Sequence, residues 1–483
     1  MRLPELVEMS ITVQNDVTSK HSSGMGWIIT AFLLVAELVG SGVVALPAAI
    51  LRTGIEIGII YMVILIVFFA YTGQQIGDCW VTMIKRWPIY QQHCRKPYPE
   101  IALRCMGKRA RTVTEVCLYL TQFGVCVVFL LLPAEILQNI LAAWRVKVNV
   151  CYLLVAVALC ISPATFLRSP ANFWWIMMIA VTGTVLAVVL IAIGVSIDLG
   201  VCQKVAVYPN TNFFTALFSL GTFMFTLCGH AYFPTIQHDM RRPEDFTKSV
   251  ILGFILVGLL YLPLSLYSYV VYGDSLRASV ISSIQTSWIR IVADFGIGIH
   301  CFLTSVLVLN PLQQKMEHVF NAPHSFSLQR VLIRVGVIAA VLLVALSIPD
   351  FSPVMDILGS AILPITTIFM PILFNMWLHA ARIETSNKEY VIPTVKQVLA
   401  RTSKAKIAWN VFIIVTTVIG SAIALYMAIK NFITVEFKLP CYIRPSSLST
   451  AEDANVVNCC GPSRSVSIYS NSSSCYGTTL VTL

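Results

Sequence analysis

Glu37-Leu38-Val39-Gly40-Ser41-Gly42-Val43-Val44-Ala45-Leu46-Pro47 lies inside the first long apolar stretch of the chain, yet it is poorly suited to an unbroken helix. Gly tolerates backbone angles that a helix does not use, and Pro removes a backbone donor and crowds the preceding turn. A second stretch, Thr226-Leu227-Cys228-Gly229-His230-Ala231-Tyr232-Phe233-Pro234, repeats the pattern of a Gly followed five residues later by a Pro. Gly42 and Gly229 are 187 positions apart, as are Pro47 and Pro234. A Gly-x-Gly notch also occurs where two membrane helices simply approach closely. Two notches at one offset favour paired broken helices within an internal repeat, with a binding site at the breaks.

The surrounding composition supports a membrane setting. Hydrophobic residues make up 57% of the 483 and charged residues 12%, with mean hydropathy +0.79. Soluble domains carry about twice that share of charge, so a soluble enzyme, a secreted disulfide scaffold and a disordered hub are excluded. Apolar stretches long enough for a ~30 Å core fall near 26–51, 55–84, 113–142, 151–167, 172–197, 212–235, 249–272, 291–313, 331–349, 354–381 and 407–430. The 187-residue shift maps the first five onto the next five. An odd number of spans per half means that the halves are inverted. The expected fold is all-α and integral to the membrane, with eleven transmembrane helices in a 5+5 inverted repeat, helices 1 and 6 broken, and one extra helix. Residues 25–430 form the transmembrane domain, with repeats at about 25–197 and 212–381 and the extra helix at about 407–430.

Charge orients the chain. With residues 1–24 in the cytoplasm, 23 of the 33 Lys and Arg lie on the inner side, as the positive-inside rule requires. The net charge of +10 is thereby explained by loops, with no call for nucleic acid. Residues 1–24 contain no apolar signal-peptide core. An odd span count places the Ser-rich tail, 431–483, outside or in a lumen. There Asn471-Ser472-Ser473 is a glycosylation acceptor pattern. Cys151 and Cys202 fall at predicted outer ends and are candidates for a disulfide. The basic 85–111 loop is expected either as an interfacial helix or as an ordinary inner loop.

On these stretches the chain resembles the amino acid/auxin permease family, within the amino acid–polyamine–organocation superfamily. Gly40-Ser41-Gly42-Val43-Val44-Ala45-Leu46-Pro47 is similar to the family's opening motif. Gly229-His230-Ala231-Tyr232-Phe233-Pro234, followed by Met240-Arg241-Arg242-Pro243-Glu244-Asp245-Phe246, resembles its span-six stretch. Tyr98-Pro99-Glu100-Ile101-Ala102 and Ile348-Pro349-Asp350-Phe351 also match. The resemblance covers about 25–430. It implies an eleven-helix carrier of amino acids, often coupled to H⁺ and sometimes to Na⁺. Proton-coupled animal members have a His in span one where this chain has Leu33, so that inference does not transfer.

Ionisable groups at membrane depth are functional candidates. Glu37, one turn before Gly40, is a candidate proton carrier, or else a neutral carboxyl capping the broken helix. His230 is a candidate for substrate binding, gating or proton transfer, or a neutral ring satisfying freed carbonyls. In span eight, Thr304 and Ser305 can offer hydroxyls to Na⁺, although such groups more often bond back to their own helix. Asp294, near the outer end of that span, is expected to be solvated, and Gln122 and Tyr119 are undecided cavity residues. No phosphate-binding loop or zinc-spaced cluster occurs, so no enzyme activity, metal or cofactor is expected. The reading is a secondary active transporter of amino acids in a plasma or endolysosomal/vesicular membrane, coupled to H⁺ rather than Na⁺. Its substrate lies against Gly40, Ser41, Gly42, Thr226, Gly229 and His230. The alternative is a sensor with the same site and little flux.

Overall fold

A computed structural model describes residues 24–434, except 92–93, 95, 145, 147, 167–173, 212, 324–326 and 384–389, together with 439–443 and 460. The first half comprises α1 (Trp27–Leu38), α2 (Gly42–Thr53), α3 (Ile55–Arg86), α4 (Pro97–Met106), α5 (Lys108–Ala143), α6 (Val150–Ala164) and α7 (Trp174–Cys202). The second comprises α8 (Phe213–Phe218), α9 (Leu220–Thr226), α10 (Phe233–His238), α11 (Phe246–Tyr272), α12 (Ser287–Val319), α13 (Leu328–Ser347), α14 (Phe351–Ala361) and α15 (Met370–Ala380). A short pairing of β1 (Arg382–Ile383) with β2 (Tyr390–Val391) precedes α16 (Val395–Arg401) and α17 (Lys404–Thr434).

Both expected breaks are present. α1 and α2 meet at 63°. Leu38 and Thr226, the last helical residues before the two breaks, are 188 positions apart. Among the described residues, eight helices are long and apolar enough to span a membrane, and the bent α1–α2 pair makes a ninth. The other two expected spans are helical but short: Val150–Ala164, and Ala216–Thr226, which ends at the second break.

Several helices outrun their apolar stretches. α5 has 36 residues, about 54 Å at 1.5 Å per residue. Its basic start prolongs the helix because Lys and Arg are good helix formers. At that end Glu115 pairs with Lys315 at 2.8 Å and Arg111 at 3.5 Å, and Glu317 bridges Arg330 at 2.9 Å and Arg334 at 2.5 Å. Within the 85–111 loop, α4 is helical, but it buries Tyr98, Ile101, Ala102 and Cys105 in the protein, and the Cys105 thiol donates to the Phe374 carbonyl at 3.4 Å. Span ten carries an unexpected π-helical turn, Ile365–Phe369, after Pro364.

α12 packs on α5 and α7 and anchors the bundle. A Cβ on Gly296 would stand 2.6 Å from the Gly183 carbonyl oxygen, so only glycine permits the α7–α12 crossing. Asp294, expected to be solvated, is instead buried at 1% exposure, one turn after Arg290. The helix end is covered by its neighbours, and span depth alone does not reveal that. The two broken spans are joined at the end bearing the basic loops, where Met25 donates its N–H to Asp239 O at 3.1 Å and accepts from Arg241 N–H at 2.8 Å.

The disulfide expectation is corrected. Cys151 and Cys202 do not bond each other. Cys151 bonds Cys441 and Cys202 bonds Cys460, so the tail straps the bundle end opposite the basic loops. The sequence places both cysteines at that end, but pairing partners are not readable from spacing. Cys441 also donates its N–H to Leu346 O at 2.8 Å. Asn471 lies outside the described residues. Peptide mapping of the unreduced protein is expected to recover the Cys151–Cys441 and Cys202–Cys460 pairs; a Cys151–Cys202 peptide would refute the strap.

Candidate functional site

α1 stops because Val39 leaves helical angles, with its N–H reaching back to Val35 O at 2.7 Å. The helix end leaves carbonyls without a following turn, and one of them, Leu38 O, accepts the Tyr261 hydroxyl from α11 at 2.8 Å. α2 restarts at Gly42; Val43 N–H bonds Gly40 O at 3.3 Å within the break, and a helix start leaves its other first N–H groups without a partner from a preceding turn. In the second break Thr226 donates its hydroxyl to Phe223 O at 2.8 Å, and Tyr232 N–H bonds Gly229 O at 3.0 Å.

The two breaks touch. A Cβ on Gly42 would lie 2.6 Å from Thr226 Cγ2, and one on Gly40 would lie 2.8 Å from His300 Nε2. The glycines therefore serve close approach as much as backbone freedom. Between them is a cavity of about 70 Å³. Glu37, Gly40, Ser41, Gly42, Thr226 and Gly229 line it from the breaks. α5 contributes Thr121 and Gln122, α12 contributes His300 and Thr304, and Phe129, Phe225 and Val308 give it apolar walls. Tyr232, which the motif reading passed over, also lines it. Glu37 is half-buried on the cavity wall.

Not every candidate reaches this space. His230 is fully buried behind the second break. Its Nε2 lies 3.0 Å from both Thr72 Oγ1 and Phe69 O, and its ring stacks on Phe233 at 4.6 Å. Ser305 donates its hydroxyl back to Phe302 O at 2.7 Å. Thr304 Oγ1, by contrast, is buried without a hydrogen-bond partner. Tyr119 holds the Lys96 and Lys315 ammonium groups over its ring at 5.7 and 5.6 Å, towards the basic end.

A polar bolt at the opposite end escaped the sequence reading. Arg52, in the last turn of α2, pairs with the buried Asp356 of α14 at 3.2 Å and donates to Ser352 Oγ at 3.4 Å. Asp356 Oδ1 accepts from Thr222 N–H of α9 at 3.0 Å and from the Thr222 hydroxyl. Three helices, α2, α9 and α14, thus meet around one carboxylate. An acid within an apolar span was the available signal, and it applies to Asp356 as it does to Glu37.

A cavity between two facing helix breaks, in an inverted-repeat bundle, defines a membrane transporter rather than an enzyme. The family described as transmembrane amino acid transporter protein matches residues 23–430, and the chain belongs to it. Amino acid transporter AVT1B of Arabidopsis thaliana is 23% identical over 378 residues, which cover 76% of this chain and 67% of that protein. Lysine histidine transporter-like 4 of the same plant is 25% identical over 381 residues, covering 74% and 81%. The inward-facing conformation of Mhp1 shares the fold, with a TM-score of 0.54 at 12% identity over 88% of this chain and 96% of that one.

The contact between the breaks makes a prediction. Gly42→Val is expected to abolish transport while protein still reaches the membrane. Gly42→Ala should lower transport by about tenfold or more, since overpacking costs about 1–3 kcal/mol. Thr226→Ser, which removes the nearest methyl, should recover part of the Gly42→Ala loss. Wild-type uptake by well-expressed Gly42→Val would refute the site.

Proposed function

We propose that this protein is a proton-coupled secondary transporter of amino acids or closely related small zwitterions that works by alternating access. The reading is carried by one observation: a small cavity bounded by two helix breaks and lined by Glu37. The first turn of α2 offers N–H groups to a carboxylate, and the carbonyl ends of α1 and α9 suit an ammonium. A zwitterion so held lies against Gly40–Gly42 and Thr226–Gly229. Glu37 stands beside it and takes up the coupling proton; losing its charge removes the main obstacle to burying the loaded site. Na⁺ is the weaker reading, since it would depend on carbonyls and on Thr304. The names of the relatives support an amino acid as cargo.

Reconstituted protein is expected to concentrate a small neutral amino acid when an inward proton gradient is imposed, with or without Na⁺. Binding without net flux would instead favour the sensor. Glu37→Gln mimics the protonated carboxyl, so it should retain measurable substrate exchange but lose uptake driven by pH alone. Accumulation by Glu37→Gln under a pH gradient would make Glu37 structural and turn attention to His230.

The charge split favours a cytoplasmic N-terminus and an outer or lumenal tail. The two disulfides on the strapped end fit an oxidising compartment there. A tag after Leu483 should be labelled only from the non-cytoplasmic side. Cytosolic labelling would mean an inverted chain or a miscounted span.

A further inference from the structure

The charge inventory of the cavity is uneven. Glu37 is the only acid among the described lining residues, and neither Lys nor Arg lines it. The titratable groups around Glu37 are Cys228 and Tyr232 across the second break, Cys126 of α5, which adjoins Tyr232, His300 of α12, and Tyr261 of α11, whose hydroxyl is held by Leu38 O. None carries a standing positive charge at neutral pH. The carbonyl end of α1 is also negative in character. An ionised Glu37 therefore has no counter-charge of its own, a strongly disfavoured state once water is excluded.

Two kinds of partner can neutralise it. A zwitterionic amino acid adds no net charge, so its occlusion leaves Glu37 to be neutralised by a proton. A cationic amino acid brings the missing charge in its side chain. Glu37 precedes Gly40 by about one helical turn, ~5 Å. With the α-amino and α-carboxyl groups at the breaks, a side-chain ammonium on two or three methylenes spans that distance, and the small cavity suits such short chains.

We propose that Glu37 is a single cation slot, filled by a proton alongside a zwitterionic amino acid or by the side-chain ammonium of a small cationic amino acid that travels without a proton. The proposal rests on the proton-carrier reading above and extends it to substrate choice. Its signature is one positive charge moved per substrate in both cases, with a proton moved in only one.

The test uses the full-length protein in proteoliposomes and two isosteric probes. 2,4-Diaminobutyrate ends in an ammonium where norvaline ends in a methyl. In wild type, norvaline uptake should acidify the vesicle lumen by one proton per molecule. Diaminobutyrate uptake should move the same charge without acidification and should not respond to a pH gradient at fixed membrane potential. Glu37→Gln should lower the ratio of diaminobutyrate to norvaline exchange by about tenfold or more, the scale of one lost charge contact. Glu37→Asp, which keeps the carboxylate, should hold the ratio near wild type. An unchanged ratio in Glu37→Gln, or a proton accompanying each diaminobutyrate, overturns the shared slot. Norvaline flux without proton movement overturns the coupling proposed earlier, and with it the sharing; a fallen ratio in Glu37→Gln would then still assign the cation contact to Glu37. If wild type binds neither probe at equilibrium, both readings fall.

Discussion

Everything about this site follows from the cost of breaking a helix inside a membrane. Backbone groups freed at a break have no water to meet and must find partners within the protein. The chain answers in two ways. Tyr261 lends its hydroxyl to the Leu38 carbonyl, and Thr226 turns its own hydroxyl back onto Phe223. Both breaks come together at the cavity, with Gly42 packed against Thr226 and Gly40 packed under the His300 ring of α12, so a side chain at either position would have to displace its neighbour. The sequence constraint and the binding surface are thus one feature.

The fold was largely legible because its causes are local. Apolar length specifies a span, and a Gly with a following Pro marks a break. The same offset recurring in the second half reveals the repeat. The break residues Gly40, Gly42, Thr226 and Gly229 carry such signals, Glu37 and Thr304 stand out as polar groups at membrane depth, and all six line the cavity. His230 was not separable from them by sequence. It sits within the same break, but its ring turns away onto Phe233, an orientation set by packing against α3 rather than by position along the chain.

The features that stayed hidden depend on contacts between distant parts of the chain. Arg52 and Asp356 are 304 positions apart, and nothing in either segment announces the other. Asp356 also binds Thr222, so it draws together the last turn of α2, the start of α9 and the start of span ten. The burial of Asp294 has a related cause: exposure depends on which neighbours cover a helix end. The disulfides make the same point, since four cysteines at one end of a bundle admit several pairings and only the fold chooses.

Those bridges also have a temporal meaning. They join positions 290 and 258 residues apart, each linking the first repeat to the segment beyond α17. Neither can close on a nascent chain until every span between has been made and α17 has delivered the tail to the correct face. Closure is therefore a covalent record of completed biosynthesis. A chain truncated before Cys441, or threaded with one span missing, would keep Cys151 and Cys202 as free thiols, which thiol-recognising quality control could distinguish from the finished protein.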